Sequence, residues 1–97
     1  MKAKHTKGEW EFKKGGNFSG TFVNFICTGD IHIAQTRGST SEMTAEENEA
    51  NAKLIAAAPD MLEALLEAKG MYEKLEPVGG WQGVYEQIEY AIKKATV

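Results

Sequence analysis

The sequence predicts an α+β fold, a three-stranded antiparallel β-meander followed by helices, and three observations carry that reading. Residues 9–35 hold short runs of aromatic and β-branched residues punctuated by Gly, Asn and Asp. Residues 44–95 instead place apolar side chains at helical spacing, interrupted at Pro59 and at Pro77-Val78-Gly79-Gly80. No segment repeats, and 97 residues are enough for a single domain with a modest core.

The first strand is read from Glu9-Trp10-Glu11-Phe12-Lys13, where charged and aromatic residues alternate as on a half-buried strand. Lys14-Gly15-Gly16-Asn17 then reads as a tight turn, because Gly and Asn accept positive φ. A second strand over 18–28 contains Gly20, the mark of a bulge or close backbone approach. Its adjacent pairs Phe22/Val23 and Phe25/Ile26 put apolar groups on both faces, so one face is expected to meet helices and the other further cover or another subunit. Thr28-Gly29-Asp30 is a turn and Ile31-His32-Ile33-Ala34-Gln35 a third strand. Thr36-Arg37-Gly38-Ser39-Thr40-Ser41-Glu42-Met43 is a polar connection, the kind of segment that carries binding residues.

Thr44-Ala45-Glu46-Glu47 is a capping box. The helix it opens is expected to reach about Ala57, with Asn48, Asn51, Ile55 and Ala58 along one side. Pro59 lacks the amide donor and disfavours a helical Ala58, so a break or kink is expected there within a helical region of 44–76. Leu62, Leu65, Leu66, Met71, Tyr72 and Leu75 form the apolar stripe of its second part. The last helix, 81–95, is amphipathic through Trp81, Val84, Tyr85, Ile88 and Ile92, and is expected to run antiparallel to the one before.

Composition narrows the chemistry. A net charge of −3 argues against a nucleic-acid partner. The lysines from Lys2 to Lys14 and the acidic residues from Glu42 to Glu76 nonetheless make the charge uneven. Cys27 is the single cysteine, so no intramolecular disulfide or cysteine zinc site forms, which suits a reducing cytosol. No apolar run approaches the roughly 20 residues that span a bilayer, so no membrane role is expected.

No catalytic set is legible, and neither enzyme activity nor a cofactor or metal is expected. His32 lies mid-strand and is read as solvent-facing, and Glu46, Glu47 and Glu49 are explained by capping. Ser39, Thr40 and Ser41 lack a nucleophile signature, and Gly15-Gly16 lacks the lysine and following helix of a phosphate loop. Arg37 is the single arginine, and a guanidinium recognises phosphate with two prongs. Asn51 is read on the inner side of its helix, as a structural bridge or a ligand-reading amide. Trp10 is read as a core anchor or a base-stacking aromatic. With Thr36 and Ser39 from the connection, these make the candidate ligand-binding set.

The stretch Glu49-Ala50-Asn51-Ala52-Lys53-Leu54-Ile55-Ala56-Ala57-Ala58-Pro59-Asp60-Met61-Leu62-Glu63-Ala64-Leu65 resembles a segment shared by many small proteins of bacteriophages and prophages. Those proteins also open with a His-Thr-x-Gly-x-Trp element, matched by His5-Thr6-Lys7-Gly8-Glu9-Trp10. They usually carry prolines where Lys7 and Glu9 stand here. The strands-then-helices layout is similar to that of phage anti-Thoeris sponge proteins, which sequester cyclic ADP-ribose-type signals in oligomers. The resemblance implies a non-enzymatic accessory protein in the cytoplasm of an infected or lysogenic bacterium. It further implies a homo-oligomer holding a cyclic nucleotide, and Arg37 with the positive end of the helix beginning near Thr44 puts the expected site where the 36–40 connection meets that helix. Two other readings stay open: action by protein–protein contact on a host factor, and a nucleic-acid-binding regulator using the lysine-rich start.

Overall fold

Strand alternation and turn chemistry build the first half of the chain. The computed structural model describes residues 4–18, 20–39, 41, 43–74 and 82–96, with Asn17 and Phe18 as backbone only. Three strands, β1 (Glu11–Phe18), β2 (Thr21–Thr28) and β3 (Ile31–Ser39), pair antiparallel in the order β1-β2-β3 and are followed by α1 (Ala45–Lys74) and α2 (Gln82–Thr96). This is the α+β layout expected from the sequence. The chain forms two compact units, one of Thr6–Pro59 and one of Asp60–Val97 together with Met1–His5.

In the sheet unit, Thr28 faces Ile31 across a two-residue turn in which Gly29 takes φ 57°. The other hairpin differs from expectation. Lys14-Gly15-Gly16-Asn17 is not the turn but part of β1, where the register slips between Lys14 and Asn17. The reason is steric: a Cβ at Gly15 would fall on the Val23 carbonyl, so the missing side chain lets the two strands close up as a bulge. Gly20, expected inside the second strand, instead precedes β2 with φ 83°. β3 also runs four residues past its expected end, taking in Thr36, Arg37, Gly38 and Ser39, because each of them finds a partner on β2.

Cross-strand partners share a face, so Phe12 and Lys14 of β1 line up with Ile26 and Asn24 of β2, and these with Ala34 and Thr36 of β3. That face meets the first part of α1 through two asparagines. Asn48 is fully buried, and its Nδ2 donates to the Phe22 carbonyl at 3.0 Å. Asn24, also buried, donates from Nδ2 to Asn48 Oδ1 at 3.4 Å, while its Oδ1 accepts the Gly15 N–H at 3.2 Å. Lys14 and Lys53 both reach Glu49, at 3.8 and 3.4 Å, and Lys53 lies 5.5 Å from the Phe12 ring centroid. Buried Ile26 and Ala52 complete this interior, while Val23, also buried, lies on the other face of β2.

The expected break at Ala58–Pro59 is corrected: α1 is helical without interruption from Ala45 to Lys74, with Pro59 inside. Ending a helix there would expose carbonyls and amides that need caps. Ala56, Ala57 and Ala58 offer neither a glycine C-cap nor a polar N-cap. Strong helix formers on both sides then outweigh the local cost of the proline. Leu75, residues 77–80 and Trp81 lie outside the described residues, as do Thr40, Glu42 and Lys2.

In the second unit α2 runs antiparallel to the later part of α1, since Tyr72 meets Tyr85 and the earlier Lys69 meets the later Glu89. Leu62 and Ile92 are its buried apolar side chains. The Tyr72 and Tyr85 rings stack at 4.6 Å with 23° between planes. Tyr85 donates to Glu73 Oε2 at 2.9 Å, and this bond to a carboxylate, together with partial desolvation, pushes the phenol up to about 12.

Two outcomes follow from these contacts. Asn48→Ala strips the Phe22 carbonyl and the Asn24 amide of a buried partner and should lower stability by about 2–3 kcal/mol, read from chemical denaturation. Tyr85, raised in the folded state, contributes stability that is intact below its ordinary value near 10 and is lost as pH rises towards about 12. Ultraviolet titration of the wild type should show a tyrosine ionising late, and Glu73→Gln should bring Tyr85 back towards its ordinary value near 10.

Candidate functional site

The start of α1 is set by its capping box. The Glu47 N–H donates to Thr44 Oγ1 at 3.0 Å and the Thr44 N–H to Glu47 Oε1 at 3.4 Å. The Met43 N–H donates to the Ser39 carbonyl at 3.0 Å, closing the short link from β3. Gly38 is buried beneath Met43, and a Cβ there would lie 2.8 Å from Met43 Cγ and Sδ. The absent side chain lets the thioether pack down beside the strand.

Beside this link the sheet unit forms an open hollow of about 410 Å³. β3 supplies Thr36 and Arg37, the link supplies Met43, and α1 supplies Asn51, Leu54 and Ile55. Thr36 is oriented by donating from Oγ1 to the Asn48 carbonyl at 3.4 Å. Asn51 Nδ2 points at Met43 Sδ from 4.0 Å, a weak contact that leaves most of its hydrogen-bonding capacity unspent. Arg37 is exposed, and among the described residues it makes no ion pair and is the one charged residue of this lining. The hollow thus brings an amide, a hydroxyl and an apolar lining together, with Arg37, the cross-strand partner of Val23, rooted on the opposite face of β3 from Thr36.

Three of the five candidates from the sequence therefore come together: Thr36, Arg37 and Asn51. Trp10 and Ser39 are not in the lining. Trp10 is half-buried and donates from Nε1 to the Thr6 carbonyl at 3.0 Å, while Ser39 Oγ is 2.9 Å from Ser41 Oγ. Two expectations change. Arg37 sits on β3, not in a loop. Asn51 is exposed, and the inward amide is Asn48, one turn earlier and in line with buried Ala52. The spacing Asn48–Ala52–Ile55 carried that signal, since steps of four and three keep to one helical face. The first turn of α1 is also separate from the hollow, with Glu47 already engaged by its cap.

A second hollow, of about 400 Å³, lies between the β1 bulge and the start of α1, with Lys14, Gly15, Asn24, Glu46 and Glu49 in its lining. Its carboxylates and the Lys14–Glu49 pair make it a poor host for an anion. Among the described residues no three His, Cys, Asp or Glu are grouped to hold a metal ion, and no helix is long and apolar enough to cross a membrane.

The sequence pattern of the family of Salmonella phage P22 protein Y8K6 matches residues 1–97. The chain belongs to this family. It is a small phage protein, which agrees with the phage origin implied by the 49–65 segment. No curated protein and no solved structure matches it.

Proposed function

We propose that this phage accessory protein is a non-enzymatic binder that sequesters a small phosphorylated signal of the cyclic-nucleotide or ADP-ribose class in the hollow beside β3. The observation that carries the reading is the meeting of an unpaired Arg37 with Thr36 and Asn51 over Met43, Leu54 and Ile55. Arg37, reaching round the edge strand β3, supplies two-pronged contact to a phosphate, Asn51 reads a polar edge, and the apolar residues take the flat side of a base or the carbon face of a ribose.

The same reading takes the protein as a homo-oligomer. Strand alternation sets Phe25 on the sheet face opposite Asn24 and Ile26, where it is half-buried against the His32 ring at 5.4 Å. Sedimentation at micromolar concentration should show more than a monomer, and Phe25→Lys should shift the distribution towards one. A clean wild-type monomer would remove the oligomer from the reading.

Calorimetry against a panel of cyclic nucleotides and cyclic ADP-ribose isomers tests the ligand. One member should bind, and Arg37→Ala should weaken it by about 1.5–3 kcal/mol, some ten- to a hundredfold, with folding unchanged because the side chain is exposed. Equal affinities would take Arg37 out of the site. No heat with any member would overturn the proposal and favour action by protein contact.

A further inference from the structure

Beyond Asp60, α1 bears a broad apolar face. One side holds buried Leu62 with half-buried Lys69 and Tyr72, the last two in contact with the neighbourhood of α2 residues Glu89 and Tyr85. Adjoining it, since Tyr72 falls about 20° round the helix from Met61, is a row of Met61, Ala64, Ala68 and Met71, separated by three, four and three residues. Every one of them is exposed, Met61 at 44% and Met71 at 64%. The apolar face of this part of α1 is thus wider than α2 covers, and the exposed portion with this spacing is a seam on which another helix packs.

We infer that this row is a docking surface for a basic amphipathic helix of a partner protein. Charge selects the partner. Asp60, Glu63 and Glu67 follow the seam along one flank, all exposed and none in an ion pair among the described residues. Lys74, two turns beyond Glu67, ends that row. A helix presenting leucines to the seam and lysines or arginines to the flank satisfies both features at once. The two alanines permit close approach, and the two methionines adapt to the partner's side chains. A second copy fits less well, because packing the seam antiparallel on itself sets Glu67 against its own counterpart. The surface is independent of the hollow beside β3 and shares no residue with it.

The test uses the full chain and a fluorescent synthetic helix of leucines and lysines patterned to one apolar face, with a version carrying glutamate for lysine as control. Fluorescence anisotropy at physiological salt should show binding of the basic helix and none of the acidic one. Ala68→Lys, in the middle of the seam, should weaken binding by about tenfold or more. Gln87→Lys, an equal change of charge at an exposed position on α2, should leave it unaltered. The inference is overturned if neither helix binds, if both bind alike, or if the two variants weaken binding equally. It is also overturned if the chain alone forms a dimer that Ala68→Lys abolishes, which would assign the face to a second copy.

Discussion

The buried pair Asn24–Asn48 is the constraint on which the sheet unit depends. A carboxamide taken out of water must find partners for its donors and its acceptor, and here they come from three different elements. Asn48 reaches from α1 to the backbone of β2, and Asn24 reaches from β2 to the bulge of β1 and back to α1. Leucines in the same places would supply more apolar burial but would allow the helix to slide or rotate over the strands. The amides permit one arrangement, because any other leaves a buried group without a partner. The position of Asn51, Leu54 and Ile55 beside β3, and so the shape of the hollow, follows from that single docking.

Much of this was legible in the sequence, and the failures share a cause. The strands-then-helices order, the Thr28–Ile31 turn and the Thr44–Glu47 cap are local features, decided by residues within a few positions of one another. What escaped was decided at longer range. Gly15 and Gly16 look like a turn until β2 is present to make their close approach the stronger demand. Arg37 and Gly38 look like a loop until they are paired with Val23 and Phe22. Asn48 and Asn51 differ by three residues, and the strands alone determine which of them is enclosed.

The candidate site was legible to the same degree. Arg37 drew notice as the one arginine, and Thr36 and Asn51 as polar groups near it, but nothing local indicated that Met43 would fold over Gly38 to complete the lining. The apolar part of the hollow is a tertiary product. Its polar part is readable because arginine and asparagine announce their chemistry wherever they stand.

Pro59 has a consequence that reaches the hollow. With no amide proton of its own, it cannot serve as helical donor to the carbonyl four residues earlier, which belongs to Ile55. An uninterrupted helix ordinarily consumes every interior carbonyl, but this one leaves an acceptor without its usual donor at a residue that also belongs to the lining. One rung of the helical ladder is thus missing in the turn where the sheet unit passes into the second unit, which makes this the turn at which bending α1 breaks the fewest bonds.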